Sequence, residues 1–189
     1  MELILASQSP RRQELFELIG LPFTVFASDA DEDIPFTRPG EYVEKLALRK
    51  AETVFSQRPH ACVVGADTIV WLNGTIIGKP RDEQDAYRIL RTLSGQTHAV
   101  YTGLAVLAPN SKTVLHDVTH VTFAPLSDAE IWAYVHSGEP MDKAGAYGVQ
   151  GKAAIFVERV EGCYFTVIGL PVPKLYRALD KLGIRPEGM

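Results

Sequence analysis

Four stretches of the chain gather side chains that can handle phosphate, metal or protons. The first is Ser7-Gln8-Ser9-Pro10-Arg11-Arg12, which follows a short apolar run. Ser9 is a good N-cap and Pro10 a good first helical residue, so a helix begins there. A helix N-terminus offers unpaired N–H groups and a positive dipole end, which together seat phosphate. Arg11 and Arg12 add bidentate donors, and the Ser7 and Ser9 hydroxyls add further contacts. The stretch lacks the glycines of a Walker loop. The second feature is Asp67, read as standing directly after a buried-strand pattern and flanked by Gly65, Ala66 and Thr68. A carboxylate at a strand end can take a proton from water or hold a divalent cation. The third is Glu32, inside the acidic run Asp29-Ala30-Asp31-Glu32-Asp33, which can complete a Mg2+ or Mn2+ site with Asp67. The fourth is a pair of lysine-bearing turns. Lys79 precedes Pro80, and Lys143 lies in a loop with Gly145, Gly148 and Gly151, where glycines permit close approach to a ligand. Gln150, in the same loop, presents a donor and an acceptor that can read a base edge.

Each stretch has an ordinary alternative: a capped helix with solvated arginines, a turn aspartate bonding its own backbone, a solvated acidic loop, and surface lysines. Lys50 is harder to dismiss. The helix expected over 41–55 has an apolar stripe at Val43, Leu46, Ala47, Ala51 and Val54, and Lys50 falls on that stripe. An inward lysine either snorkels to water or meets an anion. If Lys50 is kept for a substrate phosphate, Lys50→Met leaves stability unchanged or raises it while cutting activity. No Ser-His-Asp arrangement is readable, and His116 and His120 read as exposed histidines of one strand.

The elements that must position these groups are mixed. Leu3 to Ala6 reads as a buried strand, followed by the helix that Gly20 closes and by a strand near Phe23 to Ala27. Ala61 to Gly65 reads as another buried strand. Ile69 to Leu72, Asn73-Gly74 and Thr75 to Ile77 carry the signal of a type I′ hairpin. A helix capped by Asp82 runs through Ala86, Ile89, Leu90 and Leu93, and two strands over 99–108 and 113–124 turn at Pro109-Asn110. Ser127 and Glu130 form a capping box. Further on, Ile155 to Val160 and Tyr164 to Ile168 read as a hairpin turning at Gly162, and a helix spans 171–182. The fold class is therefore α/β. With no repeat or linker, residues 1–189 read as a single domain, or two lobes around a central cleft.

Composition narrows the partners. The chain has 189 residues, 46% hydrophobic and 22% charged, so it is globular rather than disordered or collagenous. Lys plus Arg number 19 against 23 Asp plus Glu, a net charge of −4, which argues against a general nucleic-acid binder. Cys62 and Cys163 show no zinc spacing and are expected to be reduced and buried. No stretch approaches the roughly 20 apolar residues of a membrane helix, and no signal peptide is visible, so a cytoplasmic protein with no membrane partner is expected.

At these same residues the chain resembles the Maf family of nucleoside triphosphate pyrophosphatases. The matching stretches are Leu5-Ala6-Ser7-Gln8-Ser9-Pro10-Arg11-Arg12, Gly65-Ala66-Asp67-Thr68, Gly78-Lys79-Pro80, Leu93-Ser94-Gly95, the glycine-rich loop over 142–151 and Gly169-Leu170-Pro171. They run in the family's order along nearly the whole chain. The resemblance implies a mixed twisted sheet with flanking helices, in a Maf/inosine triphosphatase-like architecture, and a homodimer. It implies hydrolysis of a nucleoside triphosphate to monophosphate and pyrophosphate, with a divalent cation and with Asp67 as proton acceptor. Glu32 and Asp67 would hold the metal, and Arg11, Arg12, Lys50, Lys79 and Lys143 would carry phosphate charge. Arg11, Thr68 and Gln150 stand where the subfamilies differ, and this combination looks like the dTTP/UTP branch. The branch acting on 7-methyl-GTP typically has Trp, Gln and Glu there. Two other functions are compatible with the resemblance: a purine-specific pyrophosphatase of the same fold, and a non-enzymatic nucleotide-binding regulator of septum formation.

Overall fold

A computed structural model describes residues 1–186 and 188. The fold is α/β, and the described residues form seven strands in one mixed sheet. The strands are β1 (Leu3–Leu5), β2 (Thr24–Val25), β3 (Cys62–Leu72), β4 (Thr75–Ile77), β5 (Thr97–Ala108), β6 (Ser111–Phe123) and β7 (Val157–Glu161). Their order is β2-β1-β3-β5-β6-β7, with β4 pairing β3 off this path. β1 is parallel to β2 and β3, whereas β3–β4 and β6–β7 are antiparallel. The helices are α1 (Pro10–Glu17), α2 (Pro39–Gln57), α3 (Glu83–Leu93), α4 (Asp128–Val135), α5 (Tyr164–Ile168) and α6 (Val172–Lys181), with three 3-10 turns between α4 and β7. The chain divides into two compact units. The first comprises residues 1–67, 102–117 and 169–189, and the second comprises 68–101 and 118–168. Three of the four borders between them fall inside β3, β5 and β6, and the fourth falls at the end of α5.

In the first unit, α2 buries Val43, Leu46, Ala47, Ala51 and Val54, the stripe that periodicity predicts. Ala47, Ala51 and Val54 pack with Ile4, Ala6, Val63, Ala105 and Leu107 in a core of small residues. Two glycines make that packing tight. A Cβ at Gly65 would lie 2.3 Å from the Ala47 carbonyl oxygen and 2.9 Å from the Ala51 nitrogen. One at Gly103 would lie 2.1 Å from the Val43 carbonyl oxygen. The backbone of α2 therefore rests directly on β3 and β5 at both positions, which no other residue type permits.

In the second unit, Asn73 and Gly74 both have positive φ (48° and 84°), as a type I′ turn requires, with Leu72 opposite Thr75. The Asp82 side chain accepts the Asp85 N–H at 2.7 Å and caps α3. Ser127 and Glu130 form both bonds of the capping box that starts α4. A buried aromatic group of His98, Phe123, Tyr147 and Phe156 fills the interior of this unit.

Two elements differ from the expectation. The strand read as ending near Gly65 continues unbroken to Leu72, so Asp67 lies in mid-strand and not in a turn. Small residues there mark the close approach of α2 and not a strand end. Tyr164 to Ile168 is a short helix, and β7 pairs with β6 instead, with a bulge between Thr122 and Phe123. The β-branched and aromatic content of that stretch suggested a strand, and tertiary placement overrode it. Among the smaller differences, Cys62 is buried and Cys163 half-buried, and both are free thiols. Of the two histidines expected to be exposed, His120 is exposed, whereas His116 is half-buried with its Nδ1 2.7 Å from Glu44 Oε1. No helix among the described residues is long and apolar enough to cross a membrane.

Candidate active site

The geometry of the first unit centres on Lys50. Ala51 packs against Gly65, and Asp67, two residues further along β3, projects on the same face of the sheet. Lys50, beside Ala51, thereby reaches Asp67: its Nζ donates to Oδ1 at 2.6 Å. The same Nζ lies 2.9 Å from Glu32 Oε1. The Lys50 and Asp67 side chains are only 14% and 11% exposed, so this pair is largely shielded, whereas Glu32 comes from an exposed loop. A second contact anchors that loop, since Arg49 Nη1 donates to the Asp31 carbonyl at 2.8 Å. One ammonium thus faces two carboxylates, and the cluster carries an excess negative charge.

At the start of α1, Ser9 caps the helix only with its backbone, and its side chain makes no cap bond. Its N–H donates instead to Ser7 Oγ at 3.2 Å. Ser7 is buried and also accepts from Arg12 Nη1 at 3.4 Å, while Arg12 Nε donates to the Gly169 carbonyl at 2.9 Å. Arg12 is thus held by both ends of the unit's sequence and is not a solvated side chain. Desolvation lowers its pKa below the ordinary arginine value, with Asp67 opposing that shift and Arg11 adding to it. Arg11 is half-buried on the same first turn.

The second unit holds Thr68, Lys79, Lys143 and Gln150. Thr68 is half-buried, and Lys79 and Gln150 are exposed. The Gly145 N–H donates to the Gly78 carbonyl at 3.0 Å, which draws the Lys79 turn to the glycine-rich loop. Lys143 is 14% exposed, and its Nζ donates to Asp142 Oδ1 at 2.7 Å and to the Glu139 carbonyl at 2.6 Å. At Gly148 and Gly151 the absence of a Cβ makes room for side chains of the protein itself, Lys143 and Glu139. A Cβ at Gly148 would meet Lys143 Cε at 2.9 Å, and one at Gly151 would meet Glu139 Oε1 at 2.0 Å. Glu139 carries no motif signal in the sequence beyond its place before Pro140.

The donor chemistry can be set against a divalent cation. Among the described residues no group of three His, Cys, Asp or Glu side chains is placed to hold a metal ion. Two carboxylates do converge, however, on the single Lys50 ammonium. Mg2+ is commonly bound through one or two carboxylates, with water and substrate phosphate oxygens completing its shell, so Glu32 and Asp67 fit a metal that arrives with a phosphate ligand.

These features define an α/β protein with a largely shielded carboxylate–ammonium pair and an arginine-bearing helix start. Its fold is that of a solved structure, the Ham1 protein of Staphylococcus aureus, at a TM-score of 0.55 and 14% identity, covering 97% of this chain and 100% of that one. The profile of the family described as Maf-like protein matches residues 2–182, and the chain belongs to that family. Curated relatives carry the name dTTP/UTP pyrophosphatase. That of Geobacillus sp. (strain WCH70) is 50% identical over 183 residues, 96% of this chain and 98% of the relative. That of Aquifex aeolicus (strain VF5) is 48% identical over 184 residues, covering 97% of each chain. That of Bacillus pumilus (strain SAFR-032) is 47% identical over 186 residues, covering 98% of each.

Proposed function

We propose that this chain hydrolyses dTTP and UTP to the nucleoside monophosphate and pyrophosphate, and so clears unwanted nucleotides from the cellular pool. The observation that carries the proposal is the shielded Lys50–Asp67 pair at 2.6 Å, on a chain about half identical to dTTP/UTP pyrophosphatases over almost its whole length. In the reaction, a water oxygen forms a bond to the α-phosphorus. Asp67 accepts the proton that this water releases, and the bond from the α-phosphorus to the α–β bridging oxygen breaks, so that pyrophosphate leaves. Lys50 holds Asp67 in place through the 2.6 Å contact, and it offers its ammonium to the developing phosphate charge. Arg12, fixed by Ser7 and Gly169, and Arg11 beside it are preorganised donors for phosphate oxygens at the α1 N-terminus. Ser7 and Ser9 shape that N-terminus. Lys79 and Lys143 are assigned further phosphate charge, and Thr68 and Gln150 recognition of the pyrimidine nucleotide, on the strength of the family motifs.

Glu32 and Asp67 would hold Mg2+ or Mn2+. When bound, such an ion neutralises phosphate oxygens and lowers the pKa of bound water. By the same family reasoning the protein works in the cytoplasm as a homodimer, a state that light scattering of the purified chain reads directly.

The test is pyrophosphate release from a panel of nucleoside triphosphates, with and without Mg2+. Turnover is expected for dTTP and UTP in the presence of the metal. Asp67→Asn should lower kcat by roughly 10²–10⁴-fold while the protein remains folded. Near-normal turnover by that variant would overturn the assignment of the base.

A further inference from the structure

Glu139, just upstream of the glycine-rich loop over 142–151, organises that loop. Glu139 opens the first 3-10 turn after α4, and it grips residues 143–152 at both ends. Its backbone carbonyl accepts Lys143 Nζ at 2.6 Å. Its carboxylate accepts the Lys152 backbone N–H, with both oxygens at 3.1 Å. The Tyr134 hydroxyl donates to Oε1 at 3.1 Å and so aims the carboxylate. Burial, with Glu139 adding to it, holds the Tyr134 pKa well above the ordinary tyrosine value, so that hydroxyl stays a donor at any physiological pH. Gly151 supplies the space: a Cβ there would lie 2.0 Å from Glu139 Oε1. The φ of Gly151 is −102°, which any residue adopts, so glycine is needed here for the carboxylate alone.

We propose that Glu139 is a positioning residue of the nucleotide site, a clamp that closes the loop over 143–152 and sets where Lys143 and Gln150 are presented to the substrate. The inference rests on the pyrophosphatase function proposed above. It follows because Gln150 lies two residues before the amide that the Glu139 carboxylate holds, while Lys143 is anchored on the main-chain carbonyl of the same residue, a contact that the side-chain variants leave in place. A loop tied at both ends to one residue keeps its donors near their bound positions before substrate arrives, which lowers the ordering cost of binding. The energetic signature is therefore in substrate binding and discrimination, and less in the chemical step.

Three variants test it: Glu139→Ala, Glu139→Gln and Gly151→Ala. Alanine at 151 is conformationally allowed, so its single direct effect is to expel the Glu139 carboxylate. For Glu139→Ala and for Gly151→Ala, KM for UTP should rise about ten-fold, as expected for a lost charged hydrogen bond, with kcat changed much less. The double variant should be no worse than either single one, because both remove the same contact. Glu139→Gln keeps one acceptor oxygen and should recover part of the KM loss. Hydrogen exchange supplies a readout apart from turnover: the Lys152 amide should lose protection in Glu139→Ala and Gly151→Ala. Faster Lys152 exchange with an unchanged KM overturns the positioning role, as does additive loss in the double variant. A wild-type protein that neither binds nor hydrolyses UTP instead overturns the function on which the inference rests.

Discussion

Lys50 shows most clearly what a single side chain contributes here. Its position on the apolar stripe of α2 marks it from the sequence as an inward lysine that needs an anion, and the structure supplies two, Asp67 and Glu32. That changes the expectation for Lys50→Met. Removing the ammonium leaves the shielded Asp67 carboxylate without its partner and next to a second negative charge. Stability should fall by about 1–3 kcal/mol, instead of holding or rising, alongside the loss of activity. Thermal melting checks this, and Asp67→Asn in the Lys50→Met background should restore part of the loss by removing the orphaned charge. An unchanged melting temperature in Lys50→Met would show that solvent already pays for the pair. The partner of Lys50 was not legible in the sequence, because Asp67 lies 17 positions away and read as a turn residue. Glu139 was invisible for a related reason: its work is done by a carboxylate lying over a glycine, a contact that leaves no periodic trace.

At the level of elements, the seating of α2 on β3 determines the site. Gly65 lets the α2 backbone touch the strand, and this is what brings Lys50 over Asp67. Gly65→Ala would press a methyl group into the Ala47 carbonyl and the Ala51 nitrogen, main-chain atoms that cannot swing aside. The cost should be about 1–3 kcal/mol, with activity falling further because Lys50 lifts away from Asp67. A denaturant titration and an activity assay separate the two effects. The strand itself was only half legible. Its buried apolar start is plain in the sequence, but the small and polar residues of Gly65-Ala66-Asp67-Thr68 hide its continuation, since a strand interior that holds a paired aspartate looks like a loop. The Asn73-Gly74 hairpin and the Ser127/Glu130 capping box were read correctly because both rest on short-range geometry. β5 carries the second element-scale prediction. His98, 1% exposed, has its Nε2 2.7 Å from Tyr147 Oη and its buried Nδ1 without a hydrogen-bond partner. Burial, with His120 adding to it, pushes its pKa down from 6.5 to about 4. The folded state keeps the ring neutral while the unfolded state takes up a proton, so there is no cost above about pH 6.5. Between that value and about 4, stability should decline by about 3 kcal/mol as the pH falls. Denaturant midpoints measured across this window should slope less in His98→Gln than in the parent, and equal slopes would exclude His98 as the source.

For the whole molecule, the net charge of −4 sets a limit on partners without excluding anions. Long polyanions gain affinity from an excess of positive charge, which this chain lacks, but a triphosphate needs only a few well-placed donors. Part of the acidic excess sits in the proposed site, where Glu32 and Asp67 both face Lys50 and would call for a further counter-cation. A non-hydrolysable dTTP or UTP analogue should therefore raise the melting temperature in Mg2+ and fail to do so in a chelator. At about 100 times its Kd the ligand should add roughly 2.7 kcal/mol. An equal shift in the chelator would show that nucleotide binds without metal. The chain crosses between its two compact units four times. One unit is drawn from three separate segments and the other from two, with borders after residues 67, 101, 117 and 168. Exchanging one unit between related genes therefore takes four simultaneous crossovers, two of them beside Asp67 and Val118. Recombination is a poor source of novelty for such a chain. New nucleotide preferences in this lineage should arise by point substitution, one codon at a time, with the first border lying between the codons for Asp67 and Thr68.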